Sequence, residues 1–504
     1  MADLTEDLVA LAPALRADLT EARYRVEPIG AMLGSAAHTA LDRGEPVPAR
    51  RAIVGGGPLG TLIALFLIAD PCPIDEVARA LPRTGVERAL AAGLLTRSGE
   101  DVTAALDLRP VLLGTGEHWV LADLDDARGR PSGPDHVIGV GQATVSLLRA
   151  TPTDPVATVL DLGTGGGIQA FQATDYADSV TATDVNPRAT VLARAGAVLN
   201  DREVEVLTGS WFEPVAGRRF DRVVANPPFV VGPGGIGHTY RDSGLDLDGA
   251  SRLVVSTAPE HLNPGGIATL LAAWVHRRGE HWRDRVASWL PDHGVEAWIV
   301  QRDVADPELY VGTWLRDGGV DPRSADGAAQ AGAWLDALAA AEVEAVGFGV
   351  VYLRAIDGPT TVTAEELTQP YDDPLGAEVT AHFARSDWLA AHPVAEATVR
   401  LADSVVLERV LQPGGVADPD PQTPVFQQTV ARLHRADGPR WVHEVDEDTI
   451  AVLSGLARGQ ATVTTVASLL AAARGRDPQQ TLTAVTGVIT DLIRHGLVVP
   501  MTAD

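Results

Sequence analysis

Val159-Leu160-Asp161-Leu162-Gly163-Thr164-Gly165-Gly166-Gly167 is the stretch on which the fold turns. An apolar strand delivers a carboxylate and then runs into a turn with glycine at alternate positions. Glycine lets the backbone turn tightly and approach a ligand with no Cβ in the way. A helix is predicted from Ile168, and its free N–H groups would face the same space. The spacing is D-x-G-x-G-x-G, not the G-x-G-x-x-G of dinucleotide-binding turns. Further strands are predicted at 157–162, 180–183, 204–207, 222–225, 266–272, 295–301 and 347–353, with helical stretches between most of them. That alternation predicts an α/β fold with a parallel, doubly wound sheet.

Composition narrows the function. The chain has 504 residues, 45% of them hydrophobic, which predicts about three folded domains. Its 40 basic and 67 acidic residues leave a net charge of −27, the opposite of a nucleic-acid-coating protein. All 40 basic residues are arginines, so P-loop and Schiff-base chemistry, which need lysine, are excluded. The single cysteine, Cys72, allows no internal disulfide and fits a cytoplasmic location. The start of the chain is acidic and does not resemble a signal peptide. The most apolar run, 59–69, is too short for the roughly 20 residues that cross a bilayer, and predicts a buried helix with no membrane partner.

Asp184 follows the second strand, Val180-Thr181-Ala182-Thr183, and lies 23 residues after Asp161. In a doubly wound sheet ligands sit beyond the carboxyl ends of the strands, where such an acid accepts hydrogen bonds from ribose hydroxyls. The competing reading is a helix cap ahead of Asn186-Pro187. The fourth strand ends in Asn226-Pro227-Pro228-Phe229. Two prolines fix φ and make a rigid turn. There the Asn226 side-chain oxygen and the Pro227 carbonyl can accept both hydrogens of a planar –NH2 group, and Phe229 can stack on its face.

These motifs together resemble the class I S-adenosylmethionine-dependent N-methyltransferases that carry an (N/D)PP(Y/F) sequence. The likeness is strongest to the protein-glutamine methyltransferases of peptide-chain release factors. It rests on Asp161–Gly167, on Ala182-Thr183-Asp184, and on GSWFEPVAGRRFDRVVANPPF over 209–229. The resemblance implies a Rossmann-like methyltransferase domain over 135–357 with S-adenosylmethionine as cofactor and no metal. It implies cofactor contacts from Asp161, Gly163, Thr164, Gly165, Gly167, Asp184, Val185, Ser210, Trp211 and Asn226. Asn226, Pro227 and Phe229 would hold the acceptor. Two departures stand out: Ser210 replaces the family's adenine-binding acid, and Phe229 stands where the glutamine enzymes usually have tyrosine. Phenylalanine there is common in relatives that methylate guanine amines in ribosomal RNA. Three acceptor readings therefore stay open, a protein amide, an RNA or DNA base, or none at all in a cofactor-binding regulator, with a small-molecule acceptor as a further one.

The flanks match neither group. Residues 1–134 are expected to be mostly helical, with a winged-helix-like pattern after Pro73. Residues 358–504 are expected to form an α+β domain ending in a similar module, with a Thr-, Asp- and Pro-rich link at 359–374 and a flexible loop at 412–423. Gly55-Gly56-Gly57-Pro58 is read as a structural turn. Asp135–Thr144 is either a loop facing the site or a turn leading into a helix. The glycines of 233–241 predict a mobile loop that carries His238, Tyr240 and Arg241. Residues 310–346 are expected to be a mainly helical insertion. Trp274, Trp282 and Trp289 are read as packing residues, and His276, His281 and His293 lack metal-ligand spacing.

Overall fold

The structure is a computed structural model that describes residues 4–114, 116–124, 133, 135–232, 244–370, 374–413, 426–457 and 459–501. Two compact units make up the chain: Met1–Leu148 with Thr153–Glu366, and Arg149–Pro152 with Leu367–Asp504. The boundary expected at 134 falls inside the first unit, and the one expected at 357 falls nine residues before its end at 366. His238, Tyr240 and Arg241 lie outside the described residues.

The first unit is organised by an eight-stranded sheet: β1 (Val156–Leu162), β2 (Ala177–Asp184), β3 (Glu205–Thr208), β4 (Phe220–Ala225), β5 (Leu262–Arg277), β6 (His293–Ala305), β7 (Val343–Pro359) and β8 (Thr361–Glu366). Their spatial order is β8-β6-β7-β5-β4-β1-β2-β3. β1 to β5 run parallel to one another, and β7 is antiparallel to both β5 and β6. The sheet is thus mixed where a wholly parallel one was expected. β8 lies within the stretch 359–374 expected to lead into the C-terminal domain, and the second unit resumes directly after it at Leu367. The Thr-Val-Thr alternation of β8 fits a pleated edge, and it pairs in parallel with β6 from Glu296↔Thr361 to Gln301↔Glu366.

Helices α1 (Ile168–Ala173) and α2 (Pro187–Leu199) follow β1 and β2. Two more, α3 (Pro307–Asp317) and α4 (Ala325–Ala340), fill the excursion between β6 and β7. α3 and α4 start cleanly because the Asp306 and Ser324 side chains accept from the Leu309 and Gly327 N–H groups. Trp274, Trp282 and Trp289 are all buried, with Trp274 stacked on Trp282.

The N-terminal region packs on helix α2, which follows β2 of this sheet. Helix Glu6–Glu21 is capped by Thr5, carries Glu6 and Asp7 in its first turn, and buries Leu8, Leu11, Leu15 and Leu19 along one stripe. That stripe belongs to the same apolar cluster as Leu192, Ala195 and Leu199 of α2. Burying each leucine is worth about 2 kcal/mol, which explains why the two regions form one unit. The apolar run 59–69 is helical but not uniformly α: it winds as a π-helix over Ile63–Ile68 and stops at Ala69 in a left-handed conformation. Strands are more abundant than the mostly helical expectation allowed. Leu95–Ser98 pairs with Asp101–Ala104, and Leu106–Leu113 pairs with Gly116–Asp123. The second of these hairpins starts with Leu106-Asp107-Leu108-Arg109, an alternation of period two that is a strand signal.

The second unit combines helices Gly376–Ala391, Glu447–Leu456, Val463–Arg474 and Pro478–Arg494 with a three-stranded antiparallel sheet of Val405–Pro413, Phe426–Arg435 and Val442–Glu444. Its core is built from Val399, Val452, Leu456, Ile489 and Leu492. Most of the loop expected at 412–423 falls outside the described residues. Among the described residues, no helix is long and apolar enough to cross a membrane, and no group of His, Cys, Asp or Glu is placed to hold a metal.

Candidate functional site

The three sequence motifs meet at the carboxyl ends of three neighbouring strands. Leu162 pairs with Thr183 on β2 and with Ala225 on β4, so Gly163, Asp184 and Asn226 leave their strands side by side. The chain order reverses here, between β1 and β4, which is where open α/β sheets bind ligands.

The glycine turn is held mainly by the backbone. Gly163 and Thr164 both donate their N–H groups to the Thr183 carbonyl, at 2.8 and 2.9 Å. Gly163, Gly165 and Gly167 have φ of 74°, 54° and 90°, conformations that strain any other residue. Their surroundings differ. A Cβ on Gly163 would meet open space, whereas one on Gly167 would lie 2.5 Å from the Phe171 ring. Gly166 has no positive φ, yet its Cβ would sit 2.8 Å from the Leu121 carbonyl of the N-terminal hairpin. The turn therefore opens on one side and rests against the hairpin on the other.

Asp161 lies beneath the turn and is almost fully buried. Its Oδ2 accepts from the Thr164 hydroxyl at 2.5 Å and from the Ala170 N–H at 3.1 Å, tying the turn to α1. Burial pushes its carboxyl up to about 7, against the pull of those two hydrogen bonds. Asp184 stands at the rim. Its Oδ2 accepts from the Gly165 N–H at 2.9 Å and its Oδ1 from the Asn186 N–H at 2.8 Å. A carboxylate has about four acceptor sites, so Asp184 keeps acceptor capacity for an outside donor beyond these backbone bonds. Burial raises its pKa too, opposed by those backbone hydrogen bonds. The cap of α2 is not Asp184 but Asn186, whose Oδ1 accepts from Arg188 N–H at 3.0 Å. Next to Asp184, the Val185 side chain is 52% exposed, an apolar surface beside a carboxylate.

The Ser210-Trp211 pair reaches the same rim because the Gly209 N–H donates to the Asp184 carbonyl at 3.0 Å. Trp211 has φ of 48°, a strained value for a bulky residue.

A strap that the sequence did not disclose crosses the opposite flank. Asn186 Nδ2 donates to the Asp135 carbonyl at 2.9 Å. Buried Asp123 accepts from the Val137 N–H at 2.9 Å and from the Arg188 guanidinium at 2.5 Å. Val137 thereby comes to 4.0 Å from where a Gly165 Cβ would be. Of the two readings left open for 135–144, this geometry supports a loop facing the site over 135–138.

On the far side of β4, Pro227 is buried while Asn226, Pro228 and Phe229 are half-buried. The Phe229 ring meets Trp314 and Phe348 edge-on, at centroid distances of 6.4 and 6.3 Å.

An S-adenosylmethionine molecule fits the chemistry of this rim. Asp184 offers acceptors for a ribose diol, the unsubstituted Cα of Gly163 faces open space, and Val185 offers an apolar face for a base. Asp161 points into the protein, where it shapes the turn.

A family model described as a methyltransferase small domain matches residues 138–276. Two models of domains of unknown function match 21–105 and 380–500. The release factor glutamine methyltransferase of Yersinia pestis is 35% identical over 216 residues, which is 40% of this chain and 74% of the relative. That of Geobacter sulfurreducens is 35% identical over 122 residues, but the match spans only 43% of the relative. Among solved structures, a T. thermophilus 16S rRNA methyltransferase in complex with AdoMet and guanosine aligns over 42% of this chain and 57% of that one, with 19% identity and a TM-score of 0.26.

Proposed function

The chain belongs to the family of the release factor glutamine methyltransferases, and from that premise we propose that it is an S-adenosylmethionine-dependent N-methyltransferase acting on a glutamine-like amide of a protein. The observation that carries the reading is the common rung of Leu162, Thr183 and Ala225, which brings the glycine turn, Asp184 and Asn226 to one opening.

When bound, S-adenosylmethionine supplies a methyl group on a positively charged sulfur, so the leaving group needs no further activation. The chain's own residues do the rest. Asp184 accepts from the ribose hydroxyls, and Val185, Ser210 and Trp211 border the base. Asp161 and Thr164 hold the turn of Gly163, Gly165 and Gly167 in shape from below. The Asn226 Oδ1 and the Pro227 carbonyl each accept one hydrogen of the acceptor –NH2. This fixes the direction of the nitrogen lone pair and stabilises the positive charge that grows on it. Phe229 covers one face and excludes water. The acceptor proton leaves late, so no strong base is needed.

The acidity of the chain favours a protein acceptor over a nucleic acid. Phenylalanine at position 229 and the winged-helix-like modules are the features that favour a base amine. The helix-strand-helix-helix-hairpin order over 57–104 supports a winged-helix-like module. We read it, and the C-terminal unit, as acceptor-contacting parts rather than DNA readers. The single buried cysteine fits a cytoplasmic enzyme.

The test is methyl transfer from radiolabelled S-adenosylmethionine into fractionated cell extract, with Asn226→Ala as control. Label in protein that disappears with the variant is the expected result. Label confined to nucleic acid would move the acceptor to a base. No label above the variant, with cofactor binding intact, would overturn the enzyme reading.

A further inference from the structure

The geometry points to Tyr310 and Trp334, on the helical excursion between β6 and β7, as positioning residues that grip the backbone of Val231 and so hold the Asn226–Phe229 turn in place for the acceptor. This deepens the methyltransferase reading and rests on it.

Residues 226–230 leave β4 without entering another regular element. Val231 is completely buried, so its N–H and C=O require partners. Neither is satisfied by a neighbouring strand. The Val231 N–H donates to the Tyr310 Oη at 2.6 Å, and the Val231 carbonyl accepts from the Trp334 Nε1 at 3.0 Å. One partner comes from α3 and the other from α4, 79 and 103 residues further along the chain.

Both partners are themselves held. Tyr310 is 1% exposed, stacks on Phe348 at 5.7 Å and meets Trp334 edge-on at 6.2 Å. Phe348 and Trp314 are also the rings that flank Phe229. The following residue fits the same purpose: a Cβ on Gly232 would come within 3.3 Å of the Trp334 indole, so glycine lets the indole lie close. The stretch 229–232 thus takes its anchors from the excursion and from β7. Asn226 is fixed from one side by β4 and from the other by this grip, with two rigid prolines between. Such placement matters because an error of about 1 Å at a reacting group costs on the order of a hundredfold in rate.

The discriminating variant is Tyr310→Phe, which keeps the ring and its packing and removes only the oxygen that Val231 donates to. Trp334→Phe is the second variant should the first fail to fold. On the full chain, hydrogen exchange and steady-state kinetics are measured together. Exchange over 229–232 is expected to speed up about tenfold, with 161–170 unchanged. The kcat is expected to fall about tenfold, with the cofactor Kd within about twofold of wild type. Unchanged exchange at 229–232, unchanged kcat, or a parallel loss of kcat and cofactor affinity would each overturn the proposal. If the wild-type chain transfers no methyl group to any acceptor, the methyltransferase reading fails, and the grip is then judged on the exchange pattern alone.

Discussion

On the β1–β2 side of the site, shape is set over short distances in the chain. Gly163 and Thr164 bond to Thr183, and Gly165 bonds to Asp184. The partners are 19 or 20 residues apart and mostly backbone. On the β4 side the corresponding restraints are side chains from far along the chain, Tyr310 and Trp334 on Val231. The first side suits a ligand that is the same in every reaction of the family. The second ties the Asn226–Phe229 turn to helices set between β6 and β7.

If the two sides divide the labour in this way, variants should separate them. The largest effect is expected for Asn226→Ala. Methyl transfer should drop by at least about a hundredfold, as when one preorganised hydrogen-bonding group is lost, while calorimetry shows the cofactor Kd unchanged. Equal losses of both would merge the two sides. Asp184→Ala should act in reverse and weaken cofactor binding by about ten- to a hundredfold, since two charge-assisted hydrogen bonds disappear. Cofactor affinity equal to wild type in that variant would remove Asp184 from the ribose.

Gly166→Ala sharpens the contribution of the N-terminal hairpin. The new Cβ must displace the Leu121 carbonyl, at a cost of about 1–3 kcal/mol. A lower Tm together with weaker cofactor binding is expected, and an unchanged Tm would mean that the hairpin is not a support for the turn. A further effect concerns pH. The Asp161 carboxyl rises from its ordinary 3.8 to about 7 on folding. Between those values the folded chain holds a proton that the unfolded chain has released, so stability falls as pH rises through this window and levels off above it. Asp161→Asn should flatten that part of the Tm–pH curve. A curve that keeps its slope would assign it to other groups.

The same division explains what was legible in the sequence. The seven strands predicted for the sheet all form, and Asp161, Asp184 and Asn226 converge, because each motif is a strand end followed by its own turn. Such signals need only a dozen residues. The Gly166–Leu121 approach, the Asp123–Arg188 strap and the grip on Val231 involve partners 45 to 103 residues apart, and nothing in the local pattern announces them. Arg188 reads locally as one more surface arginine on a helix, and Asp123 as the end of an apolar strand. Strand β8 was hidden for a different reason. Its composition of Thr and Glu resembles a linker until a sheet edge is available to pair with it.

Ala305 and Val346 are register partners on β6 and β7, which as antiparallel neighbours lie about 5 Å apart. The excursion that carries α3 and α4 therefore leaves the sheet and rejoins it at one point. In design terms it is a cassette: a short turn could close the same gap between the two strand ends. Such a replacement would keep the Ala305–Val346 pairing and remove both side-chain partners of the Val231 backbone at once.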